Sequence, residues 1–199
     1  MLYSTPTHII LASESPRRRD LLSSVFGPIQ IIRPSFQEEL QVGEAPAKYV
    51  ERNSFGKASS VAKPEGPGKW IVIGADTIVV KEGRVLEKPK SQSDAYQMLQ
   101  SLSGGSHEVI TGYCLLAPVG RPVIKHVVTQ VFFLKLSDAL INRYIDTHEP
   151  MDKAGGYGIQ GLAASFVEKI EGSYTNVVGL PLAQLVRDLE EMDISFSKA

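Results

Sequence analysis

Short apolar runs alternate with stretches of helical periodicity along this chain, and that alternation is typical of an α/β fold. "HIILA" at 8–12 predicts a buried strand. "WIVIGADTIVV" at 70–80 begins with a continuously apolar run, as expected of a central strand covered on both faces. Further strands are predicted at 29–33, 107–117, 123–135 and 165–170. Helices are predicted at 16–26, 46–62, 92–102 and 137–147, with a last one from 181.

The predicted first helix carries three arginines at the end where acidic residues are favoured. "SP" at 15–16 predicts an N-cap followed by a first-turn proline, so Arg17, Arg18 and Arg19 fall at the positive end of the helix dipole. Free backbone N–H groups and bidentate guanidinium donors would together form an anion site suited to phosphate. The alternative is that the arginines extend into solvent or pair with neighbouring acids. Arg19 is the one that we expect to be solvated.

Several other side chains are candidates for phosphate chemistry. Asp76 follows a buried apolar run, so we expect its carboxylate at the end of a strand, where it could bind Mg²⁺ or act as a general base. A turn aspartate that caps local backbone is the alternative. Glu38, or its neighbour Glu39, could join Asp76 on a metal ion. Lys57 and Lys88 could each neutralise phosphate, although both could equally be surface lysines.

The glycine-rich segment at 152–161 contains a misleading match. Residues 156–161 fit G-x-G-x-x-G letter for letter, but a polar stretch precedes them and a strand is predicted to follow, so a dinucleotide site is not expected. Close approach of the backbone to a ligand is the interpretation that we favour for these glycines. Gln160 could then offer amide donors and an acceptor to a base edge. Basic residues, a strand-end acid and a glycine-rich wall together indicate metal-assisted phosphate-ester chemistry.

Composition narrows the possible classes. The chain has 199 residues, 43% hydrophobic and 22% charged, which is usual for a globular protein, and its net charge of −1 favours neither a nucleic-acid nor a membrane partner. The four histidines are scattered, which argues against a zinc site, and we expect the single Cys114 to be buried and inert. No apolar run approaches the roughly 20 residues that span a bilayer, and the first residues lack the pattern of a signal peptide. A cytoplasmic location is therefore expected.

Five segments together resemble the Maf family of nucleoside triphosphate pyrophosphatases. They are "LASESPRR" (11–18), "GADTIV" (74–79), "LEKP" (86–89), "DKAGGYGIQG" (152–161) and "NVVGLPL" (176–182), and they keep the family's order over nearly the whole chain. The resemblance implies a single α/β domain over 1–199, with a central mixed twisted sheet flanked by helices. It also implies two lobes with a nucleotide cleft between them, and a homodimer.

The resemblance further implies hydrolysis of a nucleoside triphosphate between the α- and β-phosphates, with Mg²⁺ or Mn²⁺, to a monophosphate and pyrophosphate. Ser13, Arg17 and Arg18 would hold phosphates, and Lys57 and Lys88 would add positive charge. Arg18 and Lys88 would also act in catalysis, together with an essential carboxylate.

That carboxylate would be Asp76, with Glu38 beside it near the metal ion. Thr77 and Gln160 would help to read the base. "SPRR", "GADT" and "GIQG" are similar to the subgroup that acts on dTTP, UTP and modified uridine triphosphates. The subgroup that prefers 7-methyl-GTP has a tryptophan after Ser-Pro and a Ser-Asp-Gln form of the acidic motif, and neither occurs here.

Three alternatives remain open at this stage. The same chemistry could act on 7-methyl-GTP or another modified purine triphosphate. The chain could instead be a nucleotide-binding regulator of cell division, in which binding rather than turnover is the output. A general phosphatase would release orthophosphate in place of pyrophosphate. No nucleic-acid or membrane partner is expected in any of these cases.

Overall fold

The computed structural model describes residues 3–4, 7–61, 69–192 and 197–198. Most of the loop predicted at 63–69 lies outside these ranges. The strands are β1 (Tyr3–Ser4), β2 (His8–Ala12), β3 (Gln30–Ile31), β4 (Trp70–Lys81), β5 (Arg84–Leu86), β6 (Ser106–Leu116), β7 (Val123–Phe133), β8 (Val167–Glu171) and β9 (Ser197–Lys198). The α-helices are α1 (Pro16–Phe26), α2 (Pro46–Ser60), α3 (Gln92–Leu102), α4 (Asp138–Ile145), α5 (Tyr174–Val178) and α6 (Leu182–Glu191). Three short 3₁₀ helices cover Glu149–Asp152, Ala154–Gly156 and Leu162–Phe166.

Seven strands form one mixed sheet. Their order is β3-β2-β4-β6-β7-β8, and β5 pairs with β4 outside that path. β2 is parallel to both β3 and β4, whereas β5 on β4 and β8 on β7 are antiparallel. β1 and β9 form a separate antiparallel pair. The α/β class with a mixed sheet is therefore confirmed.

The predicted elements are present, but some boundaries are wrong. The strand expected at 29–33 is only Gln30–Ile31, because this edge strand pairs with β2 alone and both residues are exposed. The strand expected from 165 begins at Val167, since the preceding residues form a 3₁₀ turn. The helix expected to reach 147 ends at Ile145. Local propensity identifies these elements better than it locates their ends.

The chain divides into two compact units. Unit 1 comprises 1–76, 111–127 and 179–199, and unit 2 comprises 77–110 and 128–178. β4, β6 and β7 each contribute residues to both. The single domain over 1–199 stays a prediction. Among the described residues, no helix is long and apolar enough to cross a membrane.

In unit 1, alternate residues of β2 face opposite helices. Ile9 and Leu11 pack with buried residues of α1 and α6, whereas Ile10 and Ala12 pack with residues of α2. Both faces of the strand are thus covered, which explains its continuously apolar sequence. Cys114 is fully buried on the α2 side, and burial raises the pKa of its thiol to about 12. The expected burial of Cys114 is confirmed.

The core of unit 2 contains a buried histidine. His107 is 2% exposed, and its Nε2 lies 2.7 Å from the Tyr157 hydroxyl. The imidazole meets the rings of Phe133 and Tyr157 edge to face, at centroid distances of 5.0 and 5.3 Å. Burial, with a smaller contribution from the charge of Lys81, lowers the pKa of His107 to about 4. The folded protein therefore keeps this imidazole neutral at physiological pH.

We expect stability to fall between pH 7.5 and pH 5 because of this residue. The unfolded chain binds a proton at His107 near pH 6.5, whereas the folded chain binds it only near pH 4, so acidification favours the unfolded state. This group should lower the free energy of unfolding by about 2 kcal/mol over that interval. Urea unfolding at the two pH values measures the change.

His107→Gln is the control, because glutamine can bond to the Tyr157 hydroxyl but does not titrate. Its free energy of unfolding should depend less on pH over the same interval. The pKa values of the Asp76 and Asp188 carboxyls are lowered, so these groups stay ionised and add no slope there. An equal loss of stability in both proteins would contradict a buried, neutral His107.

Candidate active site

The N-terminus of α1 holds Arg18 in a fixed position. Ser15 is the N-cap, and its hydroxyl accepts a hydrogen bond from the Arg18 amide at 3.5 Å. The Arg18 guanidinium donates from Nη1 to the Ser13 hydroxyl at 3.3 Å and from Nε to the Gly179 carbonyl at 2.8 Å. Ser13, which is 5% exposed, also accepts from the Ser15 amide at 3.1 Å. The predicted cap and the predicted first-turn arginines are confirmed.

The neighbouring charges at this helix end have different environments. Arg19 is exposed and pairs with Asp20 at 2.9 Å, in agreement with the expectation that it is solvated. The Arg17 guanidinium has no hydrogen bond or ion pair within the described ranges. Glu14 pairs with Arg33 at 3.3 Å, and both side chains are well exposed. Arg17 and Arg18 therefore remain the candidates for an anion site.

A buried ion cluster lies between α2 and the middle of β4. The expectation that Asp76 lies at the end of a strand is wrong, because β4 continues to Lys81 and pairs there with β5. The Lys57 Nζ is 2.8 Å from Oδ1 of Asp76 and 2.7 Å from Oε1 of Glu38. It also donates to the Ala75 carbonyl at 3.3 Å. Lys57 and Asp76 are 6% and 5% exposed, whereas Glu38 reaches in from an exposed segment. Of the two glutamates considered from the sequence, Glu38 is the one whose carboxylate contacts this cluster.

Asn53 completes the cluster, and sequence reasoning missed it. Its Nδ2 donates to Oδ2 of Asp76 at 2.8 Å, while Lys57 occupies Oδ1, so both carboxylate oxygens have donors from α2. Asn53 and Lys57 lie four residues apart, on the buried face of the helix that includes Val50, Ser54 and Ala58. Two polar residues recurring at helical spacing within a buried stripe were the signal that could have found it.

Glycines allow α2 to come this close. A Cβ on Gly74 would overlap the Ser54 carbonyl and lie 2.9 Å from the Ala58 amide. A Cβ on Gly112 of β6 would likewise overlap the Val50 carbonyl. Neither neighbour is a flexible side-chain end, so the contact is between backbones. The glycine of the "GADT" motif therefore places α2 against the strand that carries the aspartate two residues later.

Electrostatics keep Asp76 ionised. Burial alone would raise the pKa of this carboxyl, but the Lys57 charge, the hydrogen bonds from Lys57 and Asn53 and the Arg18 charge together lower it below its ordinary value. Burial lowers the pKa of Arg18, and the charges of Asp76 and Glu38 oppose that shift. The arginine at the helix end and the acid cluster thus act on each other.

The oxygen atoms of the cluster fit a divalent cation. Asp76 and Glu38 converge on one ammonium group, and the buried Oδ1 of Asn53 accepts no hydrogen bond from the described part of the chain. Mg²⁺ takes oxygen ligands and is commonly held by one or two carboxylates together with substrate phosphates; Mn²⁺ accepts similar ligands. Within the described ranges, no set of three or more His, Cys, Asp or Glu side chains could hold a metal ion. Substrate oxygens would therefore complete such a site.

Three predicted residues belong to unit 2. Thr77 follows Asp76 on β4 and is half-buried, and Gln160 is exposed in the glycine-rich segment. Lys88 is exposed and lines a surface concavity of about 380 Å³ together with Lys90 and Asp94. Ser13, Arg18, Glu38, Lys57 and Asp76 are thus brought together in unit 1, while the roles of Thr77, Lys88 and Gln160 stay predictions.

The glycine-rich segment lies between two short 3₁₀ helices, one that ends at Gly156 and one that begins at Leu162, so it does not connect a strand to an α-helix as a dinucleotide fingerprint would. The interpretation that its glycines admit a ligand stays a prediction. A Cβ on Gly158 would lie 2.7 Å from Cε of Lys153, and one on Gly161 would overlap the Glu149 carboxylate. These two glycines make room for side chains of this chain itself.

Comparison with known proteins identifies a family and several similar proteins. The sequence matches the family model of Maf-like proteins over residues 8–192. It is 51% identical over 178 residues to a dTTP/UTP pyrophosphatase from Alkaliphilus metalliredigens (strain QYMF), covering 89% of this chain and 92% of that protein. It is 49% identical over 187 residues to a dTTP/UTP pyrophosphatase from Geobacter metallireducens (strain ATCC 53774 / DSM 7210 / GS-15), covering 94% and 96%. A solved HAM1 protein from Coxiella burnetii aligns with a TM-score of 0.48 at 14% identity, over 93% of this chain and 99% of that chain.

Proposed function

The chain belongs to the family of Maf-like proteins, and from that membership we propose that it hydrolyses dTTP, UTP and modified uridine triphosphates. Water would cleave the bond between the α- and β-phosphates and release a nucleoside monophosphate and pyrophosphate. Both relatives named above are dTTP/UTP pyrophosphatases, which favours a pyrimidine substrate over 7-methyl-GTP. The homodimer and the cytoplasmic location that the sequence suggests stay predictions.

The observation that carries this proposal is the ion cluster of Lys57, Asp76 and Glu38 in unit 1, together with the Arg18 guanidinium that Ser13 holds at the N-terminus of α1. Ser13 holds the guanidinium of Arg18 at the N-terminus of α1, where free amides and the helix dipole favour phosphate. Arg17 would add a second guanidinium, and Lys57 and Lys88 would neutralise further phosphate oxygens. A buried carboxylate beside a phosphate site favours catalysis over regulation, because it repels phosphate and a protein that only binds would not need it.

Asp76 and Glu38 would hold the divalent cation. When bound, that ion neutralises phosphate oxygens and polarises phosphorus toward attack by water. The lowered pKa of Asp76 makes it a better ligand and water-orienting group than a proton acceptor, since an efficient general base has a pKa near the working pH. Lys57 would keep Asp76 ionised, and Asn53 would fix the orientation of the carboxylate.

Base recognition is assigned to Thr77 and Gln160. A glutamine side chain can donate from its NH₂ group and accept at its carbonyl, as pairing with the edge of uracil or thymine requires. Uracil offers an N–H donor next to a carbonyl acceptor, whereas cytosine offers the inverted pattern. An amide held in one orientation therefore distinguishes these two bases.

Asp76→Asn should abolish most turnover of dTTP and UTP while leaving the fold intact, because it removes one charge at nearly constant size. We expect kcat to fall by roughly 10²–10⁴-fold. A chromatographic assay that separates monophosphate, diphosphate, pyrophosphate and orthophosphate measures both rate and products. The wild type should release only monophosphate and pyrophosphate.

Asp188→Asn is the matched control, because Asp188 is also buried in unit 1 and hydrogen-bonded to Tyr113 and Lys125. Its kcat should stay close to that of the wild type. Release of orthophosphate would replace the proposal with a phosphatase. Nucleotide binding without any products would favour the regulator.

EDTA should stop turnover, and added Mg²⁺ or Mn²⁺ should restore it. Glu38→Gln should raise the Mg²⁺ concentration needed for half-maximal rate by about tenfold, since it removes one charged ligand. Glu39→Gln is the control, because the Glu39 side chain is exposed and its carboxylate accepts no hydrogen bond from the described residues, whereas its carbonyl accepts one from Arg52. Activity that survives EDTA, or equal effects of the two substitutions, would exclude the proposed metal role.

A further inference from the structure

Gln160 lies in a tight turn within unit 2. The Gly161 amide donates to the Gly158 carbonyl at 3.0 Å, so Ile159 and Gln160 occupy the two central positions. Gln160 is exposed, and its own side chain has no hydrogen bond within the described ranges. Its orientation therefore depends on what holds the two ends of the turn.

One carboxylate holds the C-terminal end of the turn. Oε2 of Glu149 accepts from the Leu162 amide at 3.2 Å, and Oε1 accepts from the Tyr144 hydroxyl at 3.0 Å. Oε1 of Glu149 also lies near the other end of the turn, 3.8 Å from the place that a Cβ on Gly158 would take. Tyr144 and Glu149 thus connect both ends, and we refer to this pair as the turn clamp.

The turn clamp is itself rigid. Tyr144 is 3% exposed, and its ring meets Phe166 edge to face at 5.0 Å. The Glu149 amide donates to the Thr147 hydroxyl at 3.2 Å, and its carbonyl accepts from Lys153 at 2.7 Å. Each partner is therefore anchored by contacts outside the turn.

Each glycine of the turn lies where a side chain of the clamp or its neighbour Lys153 comes closest to the backbone. The Glu149 carboxylate occupies the space that a Cβ on Gly161 would need, and the Lys153 side chain occupies the corresponding space at Gly158. A residue with a side chain at either position would displace the groups that hold the turn. The first and last positions of the turn are thus glycines because neighbouring side chains occupy the space beside them. Gln160, between them, is exposed and can contact a ligand.

We propose that Tyr144 and Glu149 are positioning residues for base selection, which fix the turn so that the Gln160 side chain is held where it can reach the base. The proposal rests on the base-reading role of Gln160 in the proposed function. The Gln160 amide can match the donor and acceptor pattern of uracil only while the turn holds it within reach of the base edge, and cytosine presents the inverted pattern. A displaced turn would lose that contact, so the clamp supports the preference for UTP over CTP.

The test is the ratio of kcat/KM for UTP to that for CTP. Tyr144→Phe removes the hydroxyl that donates to the Glu149 carboxylate, and it should lower this ratio about tenfold, mainly by raising KM for UTP. Glu149→Gln is a second variant, because its amide has one acceptor for two donors; it should act in the same direction. Thermal unfolding is followed in parallel so that each rate is measured on folded protein.

Tyr96→Phe is the matched control. Its hydroxyl also donates to a carboxylate of unit 2, Asp138, at 2.9 Å, but this pair lies on the surface of α3 and α4. The same chemical change there should leave the selectivity ratio unchanged. A loss of selectivity equal to that of Tyr144→Phe would mean that the ratio reports general destabilisation, and it would overturn the proposal.

Gln160→Ala separates the proposal from its premise. If the clamp acts through Gln160, Gln160→Ala should lower the ratio and Tyr144→Phe should lower it no further in that background. An unchanged ratio in Gln160→Ala would contradict both the base-reading role of Gln160 and the positioning role of the clamp. A lowered ratio in Gln160→Ala with an unchanged ratio in both clamp variants would overturn the clamp alone. Additive losses would also overturn it, since the clamp would then act by another route.

Discussion

The ammonium group of Lys57, held between the carboxylates of Asp76 and Glu38, is the interaction on which the site depends. Ionised groups are costly to bury unless they are paired and hydrogen-bonded, and here the cation, the Asn53 amide and the Ala75 carbonyl meet that need. The pairing requires α2 to lie against β4 at backbone distance, which the glycine at 74 permits. The close packing of α2 on β4 at Gly74 is therefore what brings Lys57 and Asn53 into contact with the Asp76 carboxylate.

A second charge, on Arg18, lies at the N-terminus of α1, where we propose that phosphate binds. The positive end of a helix disfavours an arginine, yet Ser13 and the Gly179 carbonyl hold Arg18 there, and the acid cluster offsets its charge. A triphosphate brings negative charge to that same helix end. An arginine at the positive end of a helix is unfavourable in isolation, but it is suited to a polyphosphate substrate.

Local signals in the sequence predicted most of what is local in the structure. The cap at Ser15, the first-turn arginines and the strand that carries Asp76 followed from neighbouring residues alone. Asn53 did not, because its importance comes from a partner 23 residues away and a lone asparagine in a helix has many explanations. The contact between the glycine at 161 and Glu149 was missed for the same reason, since only the folded chain shows it.

The most direct test of the account is the ionisation of Asp76 in the ligand-free protein. A ¹³C NMR titration of the side-chain carboxyl, assigned by the signal that Asp76→Asn removes, gives its pKa. The account predicts a value below the ordinary aspartate value of about 3.9, because Lys57, Asn53 and Arg18 outweigh the effect of burial. A pKa at or above that value would mean that the cation does not hold the carboxylate, and it would contradict the ion cluster as the basis of the site.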